Sequence, residues 1–222
     1  MSAHRRIKIP ARALVGVIAT TDELRLASRM RAPPDLFELR LDHLPNLRAS
    51  QLPRLSRPVI ITARHPAEGG RKLPRGRSDL LRQFLPRAKF VDIELRSMRE
   101  SRKVWAEARQ LGVGRICSVH DFKRTPALSV LRKQFSRSRK ANANVFKLVT
   151  RADSLRDLLT LCEFLWTHSL LMPVSVMAVG KFGPISRFLF REAGSAFIYA
   201  PLRHAQYDGQ LTLGQLRRHG DF

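Results

Sequence analysis

Eight short runs rich in apolar and β-branched residues recur along the chain, at positions 15–19, 36–41, 58–64, 89–95, 115–120, 144–150, 174–179 and 196–200. Each has strand length, and most of the intervals between them carry helical periodicity, the combination that marks repeated βα units. Thr20 and Glu23 stand at capping-box spacing for a first helix. After Asp153, residues Leu155, Leu158, Leu159, Cys162, Leu165 and Trp166 share one side of a helix at i, i+3, i+4, i+7 spacing. Residues 78–85, 98–111, 127–135 and 185–192 fill further helical slots, whereas prolines break the interval 44–55 and leave room only for a short helix. No low-complexity linker divides the chain. The pattern therefore predicts an α/β fold with one domain over residues 1–222, a closed (β/α)8 TIM barrel of parallel strands with helices outside. Residues 1–13 are a basic N-terminal extension to it. No glycine-rich loop follows the first run, which argues against a dinucleotide-binding sheet.

In such barrels chemistry gathers at the C-terminal ends of the strands. Here those ends are unusually polar. Glu38, Arg40 and Asp42 alternate at period two and so face the same way, as do Thr62 with Arg64 and Asp92 with Glu94. The fifth run ends in Ser118-Val119-His120-Asp121, and the sixth contains Phe146-Lys147-Leu148. One charge at a strand end is ordinarily solvated or paired, but repetition over successive strands puts many costly charges inside one barrel. A polar active-site mouth accounts for them. Neighbouring strands lie roughly 4.8 Å apart, so His120 and Lys147 at matching heights would be within hydrogen-bonding reach. A lysine in a partly apolar barrel among other cations is pushed toward its neutral, nucleophilic amine. An adjacent histidine moves protons near neutral pH. A lysine imine turns a ketone into an electron sink, so the pair suits removal of a proton beside a ketone.

Composition changes this picture in one respect. Lys and Arg total 41 against 18 Asp and Glu, a formal net charge of +23, which attracts anionic substrates and, without sequence preference, polyanions. The densest stretch, 123–140, shows no aromatic stacking pattern of the kind that holds bases, so nonspecific polyanion binding is expected without a function attached. Two cysteines without CxxC spacing and seven histidines without HxxxH pairing imply neither a disulfide nor a metal. No apolar run approaches the roughly 20 residues that span a bilayer, and the N-terminus lacks a secretory apolar segment. An organelle-targeting peptide fits residues 1–13 less well than a plain extension, because the first core strand starts near Leu14; a cytoplasmic protein is expected.

Taken in order, these residues resemble the type I 3-dehydroquinate dehydratases over about positions 14–219. The motifs are Glu38-Leu39-Arg40-Leu41-Asp42, Thr62-Ala63-Arg64 with Glu68-Gly69-Gly70, Val91-Asp92-Ile93-Glu94, Ser118-Val119-His120-Asp121-Phe122, and Phe146-Lys147-Leu148. Gly180, Gly183-Pro184-Ile185-Ser186-Arg187, Gly194-Ser195 and Asp208-Gly209-Gln210 complete the set. The resemblance implies a lyase that dehydrates 3-dehydroquinate to 3-dehydroshikimate in the shikimate pathway of aromatic amino-acid biosynthesis, with no metal or nucleotide cofactor. It implies that Lys147 forms an imine with the C3 ketone, and that His120 removes the C2 proton and later protonates the departing C1 hydroxyl. Glu68 would orient the histidine. Glu38, Arg40 and Arg64 would contact the ring hydroxyls, Arg187 would clamp the carboxylate, and Gln210 would close over the substrate on a lid at 202–210. A homodimer is the family's common assembly. The chain departs from the family at Ala19 and Gln206, where serines are usual, and at Val179, where methionine is common. Three alternatives stand beside this reading: another Schiff-base barrel enzyme of aldolase type, a basic nucleic-acid-binding barrel, and a catalytically silent paralogue.

Overall fold

The β-branched and aromatic runs form eight parallel strands: β1 (Ala13–Ile18), β2 (Leu36–Arg40), β3 (Val59–Thr62), β4 (Phe90–Glu94), β5 (Gly114–Asp121), β6 (Val145–Arg151), β7 (Val174–Val179) and β8 (Phe197–Pro201). The computed structural model describes residues 7, 9–73 and 76–220, so most of the basic extension lies outside the described residues. The strands follow the order β7-β6-β5-β4-β3-β2-β1-β8, all parallel. The curl closes at a seam between β7 and β8. There the Ala196 N–H donates to the Val174 carbonyl at 2.8 Å, and two buried serines bridge the rest. Ser195 Oγ accepts from the Val176 N–H at 3.0 Å, and Ser175 Oγ donates to the Phe197 carbonyl at 2.7 Å. The (β/α)8 TIM barrel expected from the pattern is the observed architecture.

Helices cover the outside: α1 (Thr21–Arg29), α2 (Arg77–Phe84), α3 (Arg102–Gln110), α4 (Leu128–Lys140), α5 (Leu155–Ser169), α6 (Gly183–Glu192) and α7 (Leu213–His219). The capping box opens α1 as expected: Thr20 Oγ1 accepts from the Glu23 N–H at 3.1 Å and Glu23 Oε2 from the Thr20 N–H at 3.2 Å. The proline-broken interval after β2 holds only a 3-10 turn, Ala49–Gln51. Helix α4 runs five residues beyond the expected 135, and nothing in the periodicity announces α7, whose start is set by a Thr212–Gln215 capping box.

Helix α5 corrects the sequence reading. Leu158, Leu161, Phe164, Leu165 and His168 face the barrel, while Leu155, Leu159 and Trp166 point outward, Trp166 with 77% of its surface exposed. The helix is apolar on two neighbouring faces, and a periodicity argument cannot tell the buried one from the open one.

Inside, the layers differ in chemistry. At the N-terminal end Val15, Leu36, Ile60, Phe90, Ile116, Val145 and Phe197 fill the bore, and Ile7 and Ile9 pack beneath them. Phe90 and Phe197 meet edge to face at 5.5 Å, each burial giving roughly 1.5–3 kcal/mol. Gly114 sits opposite Phe90 in the register, and a Cβ there would come 2.1 Å from that ring. One inward step up, the bore turns polar at Glu38, Thr62, Asp92, Ser118 and Lys147.

Candidate active site

Lys147 stands near the middle of that polar layer, 3% exposed, with Ser118 opposite it on β5. Its Nζ donates to Glu38 Oε1 at 2.9 Å and to Asp92 Oδ2 at 3.0 Å, and lies 3.7 Å above the centre of the Tyr199 ring. Arg64 supplies the second cation: Nη2 donates to Asp92 Oδ2 at 2.8 Å, and Nη1 donates to Glu94 Oε1 at 3.0 Å and Ser118 Oγ at 2.6 Å. Arg77 closes the network on the far carboxylate oxygen of Glu94. Burial alone would raise the Asp92 pKa, but Arg64 and Lys147 outweigh it and hold the carboxyl well below the usual range. Asp92 and Glu94 in turn hold the Arg64 guanidinium above its ordinary value against the same burial. The buried charges are thus mutually compensated, as buried charges must be. The expected setting of Lys147 among cations is corrected: its immediate partners are two carboxylates.

His120 lies higher. The parallel register pairs it with Val149, one inward step above the Ser118–Lys147 pair, so the two side chains are not at matching heights. They share a cavity rather than a hydrogen bond. Glu68, from the 3-10 turn Pro66–Glu68 after β3, reaches across to His120. Its Oε2 lies 2.9 Å from the imidazole Nδ1 and accepts the His120 backbone N–H at 2.9 Å. Burial pushes the Glu68 carboxyl up to about 7. Burial, aided by Arg64 and Lys147, pulls the His120 imidazole well below its ordinary value. Both groups are driven toward neutrality, so the contact is a hydrogen bond of a neutral imidazole rather than an ion pair. With Nδ1–H directed at Glu68, Nε2 keeps its lone pair and is a base.

Arg187, on α6, is 2% exposed and has no acidic partner among the described residues. Its Nη1 donates to the carbonyls of Ala178 and Gly183 and to Ser186 Oγ, while Nε has no hydrogen-bond partner among those residues. Burial lowers its pKa to about 10. A buried guanidinium without a counter-ion is a place for an anion.

All eight residues singled out in the sequence, Glu38, Arg40, Arg64, Glu68, His120, Lys147, Arg187 and Gln210, line one cavity at the C-terminal end of the strands. They are not equally free. Arg40 grips Asp42 with two hydrogen bonds, at 3.0 and 2.9 Å, and also donates to Gln206 Oε1 and the Gly69 carbonyl. Gln210 Oε1 accepts from the backbone N–H groups of Gln206 and Tyr207. Val17, and not Ala19, represents β1 in the wall. Asp92 was picked out by its charge but given no role beside Lys147, and the lining residues Val149, Met177 and Tyr199 escape a reading that follows charge alone. Strand parity would have found them, since each has the inward parity of a charge or core residue on its own strand. Tyr207 had no signal in the sequence. Among the described residues no group of His, Cys, Asp and Glu could hold a metal ion, and no helix is long and apolar enough to cross a membrane.

The comparisons with known proteins agree with one another. The family model for type I 3-dehydroquinase matches residues 15–219. The 3-dehydroquinate dehydratase of Thermococcus gammatolerans is 32% identical over 209 residues, covering 92% of this chain and 96% of that protein. That of Pyrococcus abyssi is 33% identical over 190 residues, 82% of this chain and 85% of its own. The crystal structure of the type I enzyme from Clostridium difficile superposes with a TM-score of 0.83 over 97% of this chain and 96% of that one. At 22% identity it speaks for the fold.

Proposed function

The chain belongs to the type I 3-dehydroquinase family, and from that premise we propose that it dehydrates 3-dehydroquinate to 3-dehydroshikimate through an imine on Lys147, as a step of the shikimate pathway. What carries the reading is a buried lysine and a neutral histidine in one cavity with a buried arginine that lacks an acidic partner.

The substrate carboxylate pairs with Arg187, filling the place of its missing counter-ion. The free amine of Lys147 then adds to the C3 ketone, and water leaves to give the iminium. Before that the ammonium must give up a proton, and Glu38 and Asp92 are its hydrogen-bonded neighbours. Neutral His120 takes the C2 proton at Nε2, and the C2–H electrons flow into the iminium to form an enamine. The enamine expels the C1 hydroxyl, which leaves as water with the proton His120 had taken. Hydrolysis of the remaining iminium restores the lysine and frees the enone. Glu68, holding Nδ1, keeps the imidazole aimed and stabilises its charged intermediate. The imine is itself the electron sink, so the route requires no metal or nucleotide cofactor. Glu38, Arg40 and Arg64 shape the wall that meets the ring hydroxyls, with Arg40 and Arg64 held rigid by Asp42, Asp92 and Glu94. Unpaired Cys117 and Cys162 suit a reducing cytoplasm.

The first test is formation of the enone product from 3-dehydroquinate by the purified protein; its absence from folded protein would remove the reading. Arg187→Met gives a sharper one. Removing a buried charge partner of the carboxylate costs about 2–5 kcal/mol, so KM should rise by roughly 30- to 4,000-fold. The same change deletes a buried cation without a protein counter-ion, so the thermal midpoint of the ligand-free protein should stay level or rise. A fall in both affinity and stability would instead mark Arg187 as a structural residue.

We also propose that the outward face of α5 and α6 pairs two copies of the chain. Leu155, Leu159 and Trp166 on α5 and Ile185 and Leu189 on the adjoining α6 are exposed. Helix α5 carries one Arg against one Asp and one Glu, whereas α4 carries five basic residues and no acid. In a chain of +23, this is a face where two like-charged copies can meet. Trp166→Glu should weaken the dimer at least about 30-fold, the scale of losing an aromatic anchor, as read by sedimentation. A native chain that sediments as a monomer at micromolar concentration would end the proposal.

A further inference from the structure

Below Lys147 the floor of the cavity is an aromatic ring. Tyr199 is the inward residue of β8 that the register sets against Val15, one inward step beneath the Val17–Glu38 pair. It therefore belongs to the apolar layer, 6% exposed, yet it lines the cavity. Phe197 braces the ring nearly edge-on, with centroids 6.3 Å apart and planes at 78°. The hydroxyl is buried and has no hydrogen-bond partner among the described residues. Burial, reinforced by Glu38 and Asp92, pushes its pKa well above the ordinary value, so the side chain stays a neutral phenol. What such a tyrosine offers the cavity is its π face. Lys147 Nζ lies over that face, 3.7 Å from its centre, close enough for direct attraction between charge and ring.

Three groups thus share the charge. An ammonium has three N–H donors; Glu38 and Asp92 take two, at 2.9 and 3.0 Å, and the ring lies beneath. An iminium at the same nitrogen has one N–H, so condensation with a ketone forfeits at least one of the carboxylate hydrogen bonds. It does not forfeit the ring. Attraction to a π face needs charge above the ring and no particular N–H, and a planar iminium can lie flat on it.

We propose that Tyr199 is a further catalytic residue, its ring the seat on which the Nζ charge rests in the ammonium and is kept when the ammonium becomes an iminium. The iminium half rests on the function proposed above; the seat under the resting ammonium does not. In the condensation the Nζ–C3 bond forms and the C3–O bond breaks. The two protons shed by the ammonium leave with the oxygen as water, so the charge at nitrogen is the same before and after. Its hydrogen bonds are not, and the ring is the contact common to both states.

The ring can be weakened without being resized. Tyr199→Phe serves as the reference chain. Tyr199→trifluorophenylalanine has almost the same shape, with fluorines that withdraw negative charge from the ring face. In the ligand-free protein at pH 7, cyanate, a small reagent that carbamoylates the neutral form of an amine, should label Lys147 about tenfold faster in the trifluoro chain than in the reference, as read by peptide mass. Equal labelling would overturn the seat. With 3-dehydroquinate and borohydride, the trifluoro chain should form its reduced adduct about tenfold more slowly than the reference. Faster carbamoylation with unchanged adduct formation would confine the ring to the resting enzyme and overturn its catalytic role. Altered carbamoylation in chains of which none, the native included, forms an adduct or the enone would leave the seat standing and remove the dehydratase reading instead. Both variants lose the partnerless hydroxyl, so their thermal midpoints should equal or exceed that of the native chain. Matching midpoints in the two variants would establish that packing is not what separates them.

Discussion

Lys147→Ala protein mixed with 3-dehydroquinate and borohydride should show no added ligand mass, whereas the native chain should gain one reduced adduct per chain. Borohydride converts an imine to a stable amine, so intact mass reports the covalent intermediate directly. Turnover should fall on the order of 10⁴-fold or more, because the covalent route and the proton transfer that depends on it vanish together. The alanine variant carries a second effect. Glu38 loses the cation that bonds it at 2.9 Å, while Asp92 keeps Arg64, and a buried carboxylate without its partner costs about 3–5 kcal/mol. Lys147→Arg therefore belongs beside it, since it retains a cation next to both carboxylates and has no amine that forms an imine. If the lysine acted only through its charge, Lys147→Arg would retain much of the activity. Loss of turnover and adduct in both variants, with both folded, assigns the covalent role to Lys147.

His120→Ala should lower kcat roughly 10²- to 10⁴-fold, the usual scale for a general acid–base group, yet still give the borohydride adduct, because imine formation needs the amine first and the imidazole after. A variant that is slow and also cannot be trapped would move His120 from proton transfer at C2 to imine formation itself. The pH profile of the native enzyme adds an independent readout. The His120 imidazole is held well below its ordinary pKa, so it is already neutral near pH 7 and its own titration falls on the acid side. Glu68 is the group that titrates near neutrality, at about 7. Above that pH its carboxylate accepts the Nδ1 proton and stabilises the imidazolium formed during turnover; below it, the protonated acid no longer does. Activity should therefore climb as pH rises through about 7, and Glu68→Gln should flatten that limb. A native profile level from pH 6 to 8 would remove Glu68 from this role.

How much of this was legible in the chain depends on what kind of fact each residue expresses. Glu38, Arg40, Asp92 and Lys147 were readable because side-chain direction in a strand alternates with period two, so charges at alternating positions had to converge on one bore. The height of His120 relative to Lys147 was not, because register between parallel strands is set by the intervening helix and its loops and leaves no local signature. Glu68 and Arg187 lie on a turn and on a helix, outside any strand periodicity, and only the family resemblance drew attention to them. The two apolar faces of α5 show the limit of periodicity from another side. Leu155, Leu158, Leu159 and Trp166 are one stripe in the sequence and two different environments in space. Tyr207 needed three loops from distant parts of the chain to be brought together.

The Phe90–Phe197 pair, with Ile7 and Ile9 beneath it, stoppers the N-terminal end of the bore. Among the described residues the cavity is therefore a bottle stoppered at its base, with its neck at the C-terminal ends of the strands. Substrate, product and solvent have to queue for the same passage, and the next substrate waits until the last product has gone. On the proposed imine route one water is released and one consumed, so solvent shares that passage with substrate and product in every turnover.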